Sequence, residues 1–399
     1  MKTEMSHPHP IAPLSMFFFP RANETARGLL DAPGLELTFN GRGALLRAFT
    51  EVAALPRGKK VLVPAFHCPS AIGPALFAGL EPVFYRIRRD LTIDYEDVLA
   101  KAHPTVAAIL VIHFFGVAPD LTPLEPLRRT GTAFIEDCSH SFLQANPVRL
   151  AGSPASDYRV FSLWKTVPSG VGGGLLRSST RALPSVPQLC KAAPLKERAR
   201  AYKLLLEESI EHSGHCGLRA ALHSFESARA HLRKPNAVIA AAPPQLERGE
   251  VYYPLNPDVS SSSIPAHSRR IVAASDLTSI VSRRRLNFKS FAAQAGSLRP
   301  MLPLIPTLPE HTCPWVYPVL LDGRAHVDFK LKAAGVGLHT FGIYLHSALF
   351  ERADECAIAD ATFLAERVLC LSIHQDLDED DIHRAVRVIH RELGARLAP

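Results

Sequence analysis

The stretch "EDCSHSF…VFSLWKTVPSGVGGG", running from Glu136 to Gly174, decides the reading of this chain. An apolar run, "TAFIED", ends on the acids Glu136 and Asp137. A second run, "VFSLW", ends on Lys165 and passes into a loop carrying Gly170, Gly172, Gly173 and Gly174. Both runs are short, β-branched or aromatic, and stop abruptly, which is the signature of buried strands. Working outward, "KKVLVPAF", "GLEPVFYRI", "AAILVIHFFG", "DYRVFSLWK" and "GGGLLRSS" read as further strands, with "FNGRGALLRAFTEVAAL" a Gly-rich turn opening a helix and "LTPLEPLRRTG" a connecting helix. Strands alternating with helices predict an α/β domain with a mostly parallel sheet. In such sheets ligands collect beyond the carboxyl ends of the strands. The segment from Pro64 to Pro69, His113, Asp137 and Lys165 are all expected near such ends.

Residues 1–35 read as an irregular lead-in, 36–255 as the large α/β domain, and 256–399 as a smaller C-terminal α+β domain. Within the large domain, 183–233 is helical and basic, and a Pro- and Ser-rich linker follows it. The smaller domain is expected to hold a long helix over "SRRIVAASDLTSIVSRRRLNFKSFAAQAG". Beyond it come a strand "WVYPVLLD", a helix "VDFKLKAAGV", a strand "LHTFGIY" and a last helix "DEDDIHRAVRVIHREL".

The chain's 399 residues are 47% apolar and 21% charged, an ordinary globular composition. A net charge of +7 suits an acidic small molecule such as a phosphate; no long Lys/Arg run supports nucleic acid as a partner. Seven cysteines without a C-x-x-C pair read as reduced thiols in a cytoplasmic protein. The longest apolar stretch, "TVAAILVIHFFGVA", is broken by His113 and too short to span a membrane.

A lysine amine is a nucleophile toward carbonyls when its site lowers its pKa. An acid at a neighbouring strand end can hold a protonated ring nitrogen. Pyridoxal phosphate chemistry needs both groups, and its phosphate needs a nest of backbone N–H groups at a helix start. "NGRGALL" at 40–46 supplies such a start, with Arg42 as a charge partner.

The order "NGRGAL", "VLVPAFHCPSA", "ILVIHFFG", "FIEDCSHSF", "VFSLWKTVPSGVGGGLL" resembles the DegT/StrS-type sugar aminotransferases, which have the type I aminotransferase fold. The match runs from about Phe39 to Arg177 and resumes more loosely in "RRRLNF" and "LKAAGVGLHTFGIYLHSALF". The resemblance implies a large cofactor domain on a mostly parallel sheet and a smaller C-terminal α+β domain. It implies pyridoxal 5'-phosphate on Lys165 as Schiff-base lysine and proton shuttle. Asp137 pairs with the pyridine nitrogen, His140 contacts the ring hydroxyl region, Ser162 binds the phosphate, and Gly41 and Arg42 supply the cradle. His346 matches a family histidine near the active-site mouth. It further implies a homodimer with each site at the subunit boundary, glutamate as donor and a keto-sugar nucleotide as acceptor, in polysaccharide or secondary-metabolite synthesis.

The sequence departs from the family pattern. Ser162 and Lys165 are three apart where the family has five positions between them, so a shortened turn is expected. The loop after "VP" offers His67 or Cys68 where the family stacks an aromatic on the ring. The family's partner-subunit phosphate motif is not evident; "SSSSIPAHSRR" occupies its place. Three other features read blandly: His212, His215 and Cys216 as a solvated helix end and not a metal site, the arginines 283–285 as a solvated helix face, and Trp164 as core. Loss of Lys165 would mark the family's dehydratase-like branch, and this chain keeps it. A second class of function fits the same residues: a regulatory protein that binds the cofactor without turnover. A nucleotide-binding enzyme without pyridoxal phosphate leaves Lys165 unexplained, since no G-x-G-x-x-G follows the first strand.

Overall fold

The computed structural model describes residues 8–18, 20–178, 191–213, 215–232 and 255–394. The linker-like stretch through residue 254 and the start of the helical segment, 183–190, lie outside the described residues. Seven strands form the main sheet: β1 (Leu35–Thr38), β2 (Lys60–Pro64), β3 (Glu81–Tyr85), β4 (Val106–Ile112), β5 (Ala133–Asp137), β6 (Tyr158–Ser162) and β7 (Gly173–Arg177), in the order β1-β7-β6-β5-β4-β2-β3. All neighbouring pairs from β3 across to β6 are parallel, and β7 alone runs against both its neighbours. The α/β class expected from the alternating pattern is therefore present. All seven residues of β4 are buried, because helices cover both faces of a parallel sheet and leave no solvent side.

The carboxyl ends of the parallel strands fall along one edge. Register pairs Ile112 with Asp137 and Asp137 with Val160, so these strand ends are level. Into the same edge runs the helix Gly41–Ala53, capped by Asn40, whose side chain accepts the Gly43 N–H at 2.9 Å. Two glycines allow this approach: a Cβ on Gly43 would meet the Ser260 carbonyl at 2.3 Å, and one on Gly173 would meet Asn40 backbone at 2.3 Å.

A second, antiparallel sheet contains β8 (Leu302–Pro303), β9 (Val316–Leu320), β10 (Leu338–His339) and β11 (Val368–Ser372), ordered β8-β9-β11-β10. Its helices Phe288 onward and Glu379–Gly394 enclose a separate apolar cluster that includes Phe288, Tyr317, Leu369, Ile382 and Ile389. The largest cluster instead joins both sheets, since Trp315, Val316, Phe341, Leu364 and Cys370 pack with Ile72, Phe84 and Ile109. In the lead-in, the helix Glu24–Leu30 buries Ala26 and Leu30 against Phe161, Val272 and Ile280.

The structure corrects three expectations. The long helix after the linker is two helices, Ala266–Ala274 and Leu277–Ala293, because Ser275 turns extended and Asp276 caps the second by accepting the Ser279 N–H. The strand over "LHTFGIY" is only Leu338–His339; Gly342, at φ +64°, turns the chain away. The helix Glu355–Arg367 and the strand β11, which lies inside the second sheet, have no counterpart in the pattern reading. Their near-continuous "ERVLCLSIH" merges helix into strand without a Gly or Pro boundary.

Candidate active site

Asp137 and Lys165 line one cleft of about 460 Å³ at the carboxyl edge of the main sheet. Asp137 is the last residue of β5, and its Oδ1 accepts the Ser139 N–H at 2.9 Å, which fixes the carboxylate at the strand end. Lys165 closes a 3₁₀ turn, Leu163–Lys165, that starts directly from Ser162. This tight turn covers the three positions from Leu163 to Lys165, and it leaves Ser162 on the cleft as well. The lysine amine lies 4.7 Å from the centre of the Trp315 ring. Burial lowers its pKa, while the nearby Asp137 carboxylate pulls the other way.

The cleft's opposite end is the start of the helix Gly41–Ala53. Asn40, Gly41 and Arg42 line it beside Ser139 and Ser162. A Cβ on Gly41 would sit 3.4 Å from the Ser162 Cβ and 3.5 Å from the Ser139 Oγ, filling the space between helix and strand end. Free N–H groups at a helix start, a serine hydroxyl and an adjacent arginine together make a cradle for a phosphate. With an acid and an amine beyond it, the donor set fits a flat, phosphate-bearing ring that carries a carbonyl and a basic nitrogen.

His140 lines the same cleft, its ring 4.2 Å from Trp315 in a stacked arrangement. Its Nδ1 accepts the Phe115 N–H at 3.3 Å. Burial, reinforced by the Lys165 charge, holds its pKa well below the ordinary value, so the imidazole is neutral with its proton on Nε2.

Of the two residues offered in place of a stacking aromatic, Cys68 reaches the cleft and His67 does not. His67 is fully buried. Its Nδ1 faces the carbonyls of Pro64 and Ala65 at 3.1 and 2.8 Å, and its Nε2 accepts the His346 N–H at 3.0 Å. His346 is likewise absent from the cleft lining; its Nδ1 caps the helix Ser347–Arg352. The pair is a joint between the loop after β2 and the C-terminal unit, because imidazole alone among side chains donates from one ring nitrogen while accepting at the other.

Two bland readings are corrected. Trp164 is a wall of the cleft. Arg284, within the supposedly solvated run 283–285, is 1% exposed. His212, in contrast, is an exposed helix end whose Nδ1 meets the Glu208 carbonyl. The segment "SSSSIPAHSRR" packs on the large sheet, where the Phe39 N–H meets the Ser262 carbonyl at 2.8 Å.

The sequence reading missed His9, Asn40, Ser139, Trp315, His339 and Phe341, which also line the cleft. His9 packs edge-on to Trp164 and His339. Only Asn40, at an N-cap position, and Ser139, inside the quoted stretch, had a local signal. The others come from distant segments. Elsewhere, His113, Glu136 and Cys138 form a buried cluster whose atoms are close enough to share a metal, but a 2.6 Å bond already joins His113 Nε2 to Glu136.

The fold and the site together define a class: an aminotransferase-type α/β protein with a lysine and an acid at the strand ends. The solved structure of AtS13 from Actinomadura melliaura superposes with a TM-score of 0.63 at 18% identity, over 98% of this chain and 100% of that one. PseC of Helicobacter pylori, an aminotransferase involved in the biosynthesis of pseudoaminic acid, gives 0.62 at 14% identity, over 98% and 100%. Residues 37–192 match the DegT/DnrJ/EryC1/StrS aminotransferase family, which bears out the resemblance read from the sequence. GDP-perosamine synthase of Vibrio cholerae is 31% identical over 144 residues, 35% of this chain and 39% of that protein. The dTDP-3-amino-3,4,6-trideoxy-alpha-D-glucose transaminase of Micromonospora megalomicea subsp. nigra is 35% identical over 97 residues, 24% and 26% of the two chains. These matches thus span well under half the length of the curated relatives. No helix among the described residues is long and apolar enough to cross a membrane.

Proposed function

We propose that this protein is a pyridoxal-phosphate-dependent aminotransferase that moves an amino group from an amino-acid donor, glutamate, to a keto-sugar nucleotide or related ketone. The observation that carries the reading is the convergence of Asp137 and Lys165, from two different strand ends, on one cleft that also receives a helix N-terminus. The named activities of the relatives favour the sugar-nucleotide acceptor.

Bound pyridoxal phosphate supplies a carbonyl for amine attack and a protonated ring that withdraws electrons from the reacting carbon. This chain's residues do the rest. The N–H groups at Gly41 and Arg42, with the Ser162 hydroxyl, would hold the phosphate. Asp137, anchored by the Ser139 N–H, would keep the proton on the ring nitrogen. Lys165 Nζ, biased toward the free amine by burial, is the group that would hold the cofactor through its carbonyl carbon, and as a free amine it would be placed to take a proton from a substrate carbon and give it back to a carbon of the same bound molecule. Neutral His140 would offer its Nε2 proton to the ring's hydroxyl side. Cys68, Ser70 and Ala71 line one part of the cleft, and its aromatic walls come from Trp164, Trp315 and Phe341.

Incubating the protein and Lys165→Ala with pyridoxal phosphate and borohydride, with peptide mass analysis, tests this. A cofactor-sized adduct on Lys165 in the wild type alone is expected. Glutamate added beforehand should convert the bound cofactor to its amine form and protect Lys165. An adduct that forms but ignores every amino acid would favour the regulatory reading, and no adduct would end the proposal.

A further inference from the structure

The arginine that the sequence places on a helix face is buried directly beneath the site. All five N–H groups of Arg284 are used. Nη2 donates to the Lys165 carbonyl at 2.9 Å and the Thr166 carbonyl at 3.3 Å. Nη1 donates to the Trp315 carbonyl at 3.1 Å and the Pro314 carbonyl at 3.4 Å. Nε donates to Gln375 Oε1 at 3.1 Å. None of these partners is a carboxylate. Asp376 acts on this charge only through space, without a hydrogen bond to it, and a guanidinium taken out of water with no bonded carboxylate is costly unless a complete set of well-placed acceptors offsets that cost.

The four carbonyl acceptors come from two segments whose side chains meet above the guanidinium. One carries Lys165 on the main sheet's edge. The other carries Trp315 at the start of β9, and the Trp315 ring is the surface against which the Lys165 amine rests at 4.7 Å. One rigid, planar group therefore sets the distance between the two backbones. Lysine offers three donors on a flexible stem and does not reproduce this fork.

We propose that Arg284 is a positioning residue: it locks the backbone of Lys165 to that of Trp315 and so sets the reactivity of the Lys165 amine. The inference rests on the reading of Lys165 as the reactive amine. With the lock intact the amine of the half-buried Lys165 stays packed against the indole. With it loosened, the 3₁₀ turn shifts and the amine reaches water, where it behaves as an ordinary lysine. The ionisable groups facing the amine are Asp137 from β5, Cys68 from the loop after β2, Cys370 from β11 and His140. All are left in place by the test.

The test is reductive methylation with formaldehyde and cyanoborohydride across pH 6 to 10, read on the Lys165 peptide by mass spectrometry. Wild type, Arg284→Lys, Arg284→Met and Gln375→Ala are compared, with melting temperature recorded for each. Arg284→Lys is expected to move the half-labelling pH upward by about one unit, a roughly tenfold loss of labelling rate near neutrality. Gln375→Ala, which leaves the four carbonyl bonds intact, should move it in the same direction by less. Arg284→Lys retains the positive charge, so a purely electrostatic role would leave its profile at the wild-type position. Unchanged profiles in Arg284→Lys and Gln375→Ala overturn the proposal, whatever becomes of Arg284→Met. Formaldehyde needs no cofactor site: shifted profiles in a protein that never captures pyridoxal phosphate would uphold the lock and refute the aminotransferase reading.

Discussion

Acid should weaken this protein through His67, in a window that the structure defines. Burial pushes the His67 pKa from its ordinary 6.5 down to about 4, against partial opposition from the Pro64 and Ala65 carbonyls. The bonding explains why the neutral form is required. Nδ1–H donates to those carbonyls, so Nε2 must stay bare to accept the His346 N–H. A proton on Nε2 would face another N–H and break the joint between the loop after β2 and the C-terminal unit. Between pH 6.5 and 4 the unfolded chain therefore binds a proton that the folded chain refuses. The unfolded state binds more protons there, so stability rises with pH through the window. The contribution is complete above 6.5 and lost as pH falls to the folded value. At about 1.4 kcal/mol per pH unit, the whole window amounts to about 3 kcal/mol, and the step from pH 7 to pH 5 to about 2 kcal/mol. His140 and His339, also held low by burial, act with the same sign, so the wild-type loss exceeds that of His67 alone. The assay is urea unfolding followed by tryptophan fluorescence at pH 7 and pH 5, on wild type and His67→Gln. The variant starts less stable, but its loss between the two pH values should be smaller than the wild type's by about 2 kcal/mol. Equal losses in the two proteins would refute the argument that His67 is held neutral by the joint.

Other expectations follow from the same geometry. If Asp137 has the proposed role of keeping a ring nitrogen protonated, Asp137→Asn should lower amino transfer by roughly 100-fold or more while the fold survives, as read by half-reaction kinetics beside circular dichroism. Gly173→Ala drives a Cβ to 2.3 Å from Asn40 backbone and must push the helix start away from Ser162. A stability loss of about 1–3 kcal/mol is expected, together with a clearly weaker pyridoxal phosphate affinity by fluorescence titration. Asp360 accepts from Arg86 Nε at 2.7 Å and from Arg89 Nε at 2.7 Å, tying the helix Glu355–Arg367 to the loop after β3. Asp360→Ala should cost about 1–2 kcal/mol in unfolding experiments and leave the cleft chemistry unchanged, since both arginines can turn to solvent. A loss of transfer activity at unchanged stability would argue against that purely mechanical role.

What the sequence determined by itself was everything that a local period or a local boundary encodes. Six of the seven strands of the main sheet were legible because short β-branched runs were punctuated by Gly, Pro and acids; the four-residue edge strand β1 was not. Asp137 and Lys165 stood out because each ends such a run, and strand ends on one edge of a parallel sheet must be neighbours. The helix start at the cleft was legible in "NGRGAL" because an N-cap and glycines are a local requirement of a helix start. The helix Glu355–Arg367 and β11 were not legible, since no breaker separates them. The role of Arg284 was invisible for a different reason. Three consecutive arginines on a helix look solvated from sequence, and only the packing of that helix under two distant loops turns the middle one inward. His67 points away from the cleft, and His9, Trp315 and His339 enter it, by the same kind of decision. Local spacing sets which residues end a strand. Which side chains then share a cavity depends on contacts across hundreds of residues, and those form only when the two sheets close on one core.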